Sequence, residues 1–221
     1  MELKHSAHAA IKNLIVGYQQ FKAKYFKGLQ YFDKLVREGQ RPEVLVIACC
    51  DSRADPAIIT HAKPGELFVV RNIANIVPPY EDDDSKEHLD TRAALEFGVL
   101  GLGVSHIIVI GHSQCGGIHA LMKGTDGAKQ TSFIRDWMNV ATPVKKNILK
   151  KYSNESLTEQ WQHCEKALLL NSFHNLNTFP WITQRVLKKK LHVHAWYFTL
   201  ETGTIETYDS KSGYFITLEK L

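Results

Sequence analysis

The chain has 221 residues, a length that suits one domain burying about 70% of the surface its unfolded form exposes. Hydrophobic residues make up 44% and charged residues 23%, as in an ordinary soluble globular protein, and no apolar run approaches the ~20 residues of a membrane span. The formal charge of +4 is mild and spread along the chain apart from Lys188-Lys189-Lys190, which argues against nucleic acid as the main partner.

Met1 to Gln20 carries Lys4, His5, His8, Lys12 and Asn13 with no uninterrupted apolar stretch, so no secretory signal is expected. Residues from about 9 to 38 place Ile11, Leu14, Ile15, Tyr18, Phe21, Tyr25 and Leu35 at near-helical spacing, with Gly39 as a stop. They predict a helical arm over 1–39, followed by an α/β core over 40–221 of the same single domain. Short apolar runs at 44–49, 67–71, 106–110 and 192–198 predict strands. Helices are expected between them: one through Ala93-Ala94-Leu95-Glu96-Phe97 toward Leu102, another from near Gly116, and a third from about 133 to 149 that Pro143 should kink. Ser156 and Glu159 form a capping box for a helix through Trp161 and Leu170. Residues 204–208 and 214–217, joined around Ser212-Gly213, read as a closing hairpin. Strands alternating with helices predict an α/β fold, a mainly parallel sheet covered on both faces.

Two of these strands run into soft metal ligands. One opens into Cys49-Cys50-Asp51-Ser52-Arg53, the other into Gly111-His112-Ser113-Gln114-Cys115-Gly116-Gly117. Four cysteines in a chain of this size do not make a disulfide framework, and they point to a reducing, cytoplasmic setting. The pattern reads instead as a zinc site on Cys49, His112 and Cys115, whose three protein ligands leave one position free for catalysis. Side chains alternate along an extended segment, so Cys49, Asp51 and Arg53 share a side, while Cys50 faces away as a small buried filler. His112-x-x-Cys115 can chelate one ion from a single turn at the carboxyl end of a parallel strand, where ligand sites form. Gly111, Gly116 and Gly117 let the backbone bend around it. Two thiolates and a neutral imidazole acidify a bound water less strongly than three histidines would, and the expected nucleophile is a zinc-bound hydroxide. Asp51 either binds the zinc or accepts the hydroxide's proton, and a bidentate pair with Arg53 keeps it off the metal.

These two motifs together resemble those of the β-class carbonic anhydrases. The resemblance runs densely over residues 40–121, through Pro64-Gly65-Glu66-Leu67-Phe68-Val69-Val70-Arg71-Asn72-Ile73-Ala74-Asn75, Val77-Pro78-Pro79-Tyr80 and Ala93-Ala94-Leu95-Glu96-Phe97. It implies reversible hydration of carbon dioxide to bicarbonate and a proton, on zinc held by Cys49, His112 and Cys115, with Asp51 and Arg53 as the orienting dyad. Plant-type members bind substrate through a glutamine nine residues before the first ligand, here Gln40. Their apolar pocket maps onto Phe68, Ile73 and Phe97, with Gly116 as a further substrate-binding position. Val46 replaces the tryptophan of members regulated by a non-catalytic bicarbonate site, which implies the plant-like subclass without that regulation. Phe97 stands where a tyrosine is frequent, Cys50 where serine is usual, and Asp90-Thr91-Arg92 where a glycine and a small residue are common. The resemblance also implies a homodimer or homotetramer with active sites at the subunit interface. The arm's Ile11, Leu14, Ile15, Tyr18, Phe21, Tyr25 and Phe26 exceed what one narrow apolar stripe needs, as burial against a partner requires.

Other readings share parts of this pattern. A non-catalytic zinc-binding module would make Asp51 a permanent fourth ligand, which the competing cation Arg53 argues against. A hydrolase of a related small molecule such as carbon disulfide would use the same ligands, and pocket access would decide. A cysteine hydrolase built on Cys115 would leave Cys49 without a role. His192-x-His194 reads as a half-buried strand pair, with metal chelation on one strand face as the sharper alternative. Cys164 reads as an inert helix thiol, and Glu81-Asp82-Asp83-Asp84 as a solvated loop rather than a calcium site.

Overall fold

The segment Val44-Leu45-Val46-Ile47-Ala48-Cys49 has no polar side chain, and only a strand covered on both faces can hold it. The computed structural model, which describes residues 7–27, 31–81, 89–123 and 132–218, makes it β1 (Val44–Cys49), an interior strand of a six-stranded sheet. The others are β2 (Leu67–Asn72), β3 (His106–His112), β4 (His192–Thr199), β5 (Thr204–Asp209) and β6 (Tyr214–Thr217), in the order β2-β1-β3-β4-β5-β6. The first four are parallel, and β5 and β6 close the edge as an antiparallel hairpin. The chain leaves β1 for β2 on one side and returns to β3 on the other. That reversal opens a crevice between the carboxyl ends of β1 and β3, the place where open α/β sheets bind ligands.

One sheet face, including Leu45, Ile47, Ile107, Val109 and Tyr197, packs on α4 (Leu89–Glu96), α8 (Leu157–Leu176) and α9 (Pro180–Leu187) through Leu95, Leu169, Leu176 and Ile182. The other face gathers Val46, Ala48, Ile108 and Ile110 with Trp196 and Phe198. Ser156 caps α8 through the expected box, its hydroxyl accepting from the Glu159 amide while the Glu159 carboxylate accepts from the Ser156 amide.

Three helical expectations are revised. The arm is two helices rather than one, α1 (Ala7–Phe26) and α2 (Tyr31–Glu38), with Gly39 in the left-handed region at φ +71° just beyond α2. The single kinked helix around Pro143 is likewise two, α6 (Ser132–Asn139) and α7 (Thr142–Lys151). Pro143 lies in the first turn of α7, where its missing N–H costs nothing, so it starts a helix instead of bending one. Two further helices lie outside the expected set, α3 (Pro56–Ile59) and α9, and both begin on a proline. Helix α4 continues as a π-helical turn, Phe97–Gly101. A Cβ on Gly98 there would lie 2.4 Å from Leu45 Cδ1, so only glycine lets this turn approach β1 so closely. By its contacts the chain forms two compact units, Met1–Arg41 with α1 and α2, and Pro42–Leu221 with the sheet.

Candidate metal centre

Cys49 and His112 are the last residues of β1 and β3, and Cys115 lies just before α5 (Gly116–Lys123). All three are buried, and their ligand atoms lie within 4.8 Å of one another, with 3.9 Å between the two sulfurs. Among the described residues no other group of three potential ligands meets so closely. His112 donates Nδ1–H to the Ser113 carbonyl at 2.8 Å, which leaves Nε2 buried with no partner. A buried ring nitrogen without a partner is costly unless a metal accepts its lone pair. The orphaned nitrogen, the paired sulfurs and the soft donor set fit a metal ion held by Cys49 Sγ, Cys115 Sγ and His112 Nε2.

Without a metal the two thiols share a proton. The Cys115 hydrogen bond lowers the Cys49 pKa, and the same interaction with burial raises that of Cys115. Burial alone would lower the His112 pKa, but the nearby Cys49 sulfur with its charge and the Ser113 carbonyl outweigh it and raise it. The Ala74 amide also points at Cys49 Sγ, at 3.4 Å.

The turn after β1 explains why Asp51 and Arg53 meet. Strand alternation predicted that they share a side, yet the strand ends at Cys49, and it is the turn that brings them together. Asp51 Oδ1 accepts from the Arg53 amide at 2.9 Å and from Arg53 Nε at 3.0 Å, while Oδ2 accepts from Nη2 at 2.7 Å. This grip holds the Asp51 carboxyl well below the usual carboxylate range. The pair therefore contributes its full stability above about pH 4 and loses it only as pH falls toward the depressed value. Arg53 Nη2 also donates to the Gln114 carbonyl at 3.3 Å, tying the dyad to the turn that carries His112 and Cys115. Cys50 is exposed rather than the buried filler that strand alternation suggests, and it is not among the three converging ligand atoms. Cys164 is buried as expected, and desolvation pushes its thiol up to about 12.

Further residues position this centre. Arg71 in β2 donates to the Cys49 carbonyl at 3.0 Å, the Asp51 carbonyl at 2.8 Å and the Asp55 carboxylate at 2.6 Å, which fixes the turn from beneath. Glu201 accepts from the Ser113 hydroxyl and the Gln114 amide side chain. Gln114 adopts φ +56°, so the ligand turn bends at a glutamine rather than at its glycines. Gly117 matters for space, since a Cβ there would lie 2.5 Å from Ile73 Cγ2, whereas Gly116 borders open space.

Glu165 of α8 is buried, accepting from the Cys115 amide at 3.2 Å and from the Tyr197 hydroxyl at 2.7 Å, and burial raises its pKa. Glu165→Ala orphans both donors, at about 1–3 kcal/mol each, and frees the segment that aims Cys115. Metal affinity should fall roughly 10–100-fold, as when other supports of a ligand are lost. Glu165→Gln, which keeps an acceptor for the amide, should recover most of it. Competition with a chromogenic chelator measures this, and an unchanged affinity in Glu165→Ala would remove Glu165 from the account.

The remaining candidates are not all at the metal. Ile73 packs in the cluster that contains Cys49 and Cys115. Phe68 and Phe97 pack on each other, ring centroids 5.8 Å apart, and Phe68 pairs with Leu45, four residues before Cys49 and so about 13 Å along the strand. Within one chain they lie away from the ligands. Gln40 belongs to the N-terminal unit and is exposed. Residues 82–84 of the acidic run lie outside the described residues, and Glu81 pairs with Arg92 at 2.9 Å.

Comparison with known proteins agrees with this geometry. The family model described as carbonic anhydrase matches residues 44–205. The chain is 44% identical to a chloroplastic β carbonic anhydrase of Arabidopsis thaliana over 82% of its own length, a match that spans 60% of that relative. Its structure resembles that of the β-carbonic anhydrase CcaA with a TM-score of 0.84 at 32% identity, covering 94% of this chain and 99% of that one. It also resembles tetrameric β-carbonic anhydrases of Sordaria macrospora with a TM-score of 0.76 at 29% identity, covering 90% and 95% of the two chains. With its three metal-ligand candidates converging where two parallel strands end, and with a family match over most of its length, the chain belongs to the β-class carbonic anhydrases.

Proposed function

We propose that the protein catalyses the reversible hydration of carbon dioxide to bicarbonate and a proton, with zinc held by Cys49, His112 and Cys115. The observation that carries this reading is the unpartnered His112 Nε2 beside two buried sulfurs, with a carboxylate locked next to them by Arg53. A zinc ion bound there supplies the Lewis acidity that lets a water lose its proton near neutral pH. Asp51 and Arg53 supply the rest of the chemistry. Of about four lone-pair sites on a carboxylate, three on Asp51 are taken by Arg53, which leaves one to accept a hydrogen bond from the reacting water and orient it. Held from two sides, Asp51 acts as an acceptor rather than as a fourth ligand. Ile73, in the same apolar cluster as the ligands, helps to exclude bulk water, and the open space beside Gly116 leaves room for a small substrate. Four cysteines without a disulfide fit a reducing compartment, and we place the protein in the cytoplasm.

Hydration should rise with pH between about 6.5 and 8.5, because the water must give up its proton before it attacks. Stopped-flow hydration with a pH indicator reads this, and a rate that falls over that range would sink the proposal.

The active form in this reading is a plant-like homodimer or homotetramer. Ile11, Leu14, Ile15 and Tyr18 of α1 are each more than half exposed, as are Phe26, and Leu100 in the π-helical turn beside Phe97. So much exposed apolar surface fits contact with a second copy. In this reading Gln40 of the N-terminal unit, with Phe68 and Phe97 away from the metal of their own chain, completes a neighbour's pocket. Deleting residues up to about Gly28 should shift the protein toward smaller species and lower its activity. Light scattering with parallel hydration assays tests this, and a fully active monomer would show the arm to be dispensable.

A further inference from the structure

At the opposite end of the sheet, three histidines meet that the hydration chemistry does not use. His106 opens β3, and His192 and His194 stand on one face of β4, with His192 directly across from His106 in the strand register. His106 Nδ1 lies 3.1 Å from His194 Nε2, and both His192 and His194 have rings stacked near that of His106, at centroid distances of 5.3 and 5.4 Å. His112 is six residues farther along β3, so this cluster is about 20 Å from the metal centre.

We propose that His106, His194 and His192 form a second metal site, which takes a divalent transition metal that prefers imidazole, such as nickel, copper or zinc. Two nitrogens bound to one ion at about 2.0–2.1 Å stand about 3.3 Å apart in a tetrahedral site and about 2.9 Å apart at right angles. The observed 3.1 Å is a hydrogen bond between the two rings and falls between those values, so an ion that displaces the shared proton needs only a turn of the rings to take both nitrogens. His192 is exposed, and its nitrogens lie outside the reach of a shared ion as placed. Rotation of its side chain brings a third donor, because positions two apart on a strand are only about 6.6 Å from each other. Burial and the two neighbouring imidazoles push the His194 pKa down, which keeps its lone pair available to a metal rather than to a proton. The donor set is nitrogen throughout, which selects these metals over calcium or magnesium.

The test uses tag-free protein loaded with one zinc per chain and titrated with nickel in a calorimeter, with zinc content and hydration activity measured before and after. Wild type should take up one further equivalent of nickel while zinc and activity stay constant. Because losing even an outer support of a metal costs about 10–100-fold, His106→Ala and His194→Ala should each weaken nickel binding at least about tenfold, and His192→Ala less. His106→Gln and His194→Gln serve as closer replacements in shape, with retained hydration activity as the proof of folding. A double variant at His5 and His8 removes the other histidines of the N-terminus and should leave the binding intact. No nickel uptake beyond the zinc, binding unchanged in His106→Gln and His194→Gln, or binding lost with His5 and His8 would each overturn the proposal.

Discussion

Cys49→Ala, His112→Ala and Cys115→Ala should each lose zinc and carbon dioxide hydration together. Each residue supplies one of three buried donors gathered within 4.8 Å, and two donors cannot hold an ion that the third no longer closes. Removal of an outer support alone costs about 10–100-fold in affinity or activity, so loss of a ligand should exceed about 100-fold. The variants also leave the surviving sulfur or imidazole buried without a partner, so they should be less stable than the zinc-loaded protein. Cys50→Ala is the contrasting variant: its thiol is exposed and is not one of the three converging donors, so zinc and activity should both remain. Metal analysis and stopped-flow hydration on the four variants decide this. A fully active Cys49→Ala beside a zinc-free Cys50→Ala would overturn the ligand assignment.

The second large effect is expected from Arg53→Ala. Three hydrogen bonds from this one residue hold Asp51, and a fourth ties the dyad to the Gln114 carbonyl. The amide bond survives the substitution, but the two side-chain bonds do not, and Asp51 can then swing toward the cation. Activity should drop about 10–100-fold at every pH, while zinc stays bound or is held more tightly. Arg53→Lys should recover only part of the loss, because an ammonium cannot grip both carboxylate oxygens as the planar guanidinium does. Cobalt substitution adds a readout that activity alone does not give. A visible spectrum that shifts in Arg53→Ala marks Asp51 entering the coordination sphere, and an unchanged spectrum with full activity would show that Arg53 does not guard it.

The parts legible in the sequence are those fixed by short-range pattern. Strand positions follow from apolar runs, and the candidate ligands from soft donors at strand ends, because both are written in consecutive residues. The split of the arm into two helices leaves no mark in the pattern, because its apolar spacing continues across 28–30 and Gly39 is the clearer stop. The supports of the candidate ligands are hidden for a different reason. Arg71, Glu165 and Glu201 reach the site from β2, α8 and the β4–β5 turn, over separations of 20 to 88 residues, and a lone charged residue in a strand or helix looks the same whether it points to solvent or to a buried amide. The glycines around Gln114 look like the flexible positions in the sequence, although Gln114 is the residue with positive φ. The placing of Phe68 and Phe97 depends on the register of β2 against β1, which no local pattern specifies.

The central claim, that Cys49, His112 and Cys115 hold the zinc on which carbon dioxide hydration depends, is tested most directly by removing and restoring the metal. Protein stripped with a chelator under reducing conditions and reloaded with graded zinc should regain hydration in proportion to the metal bound, up to one zinc per chain. Hydration that persists in the zinc-free protein, or a fully zinc-loaded protein that does not hydrate carbon dioxide, would contradict the account.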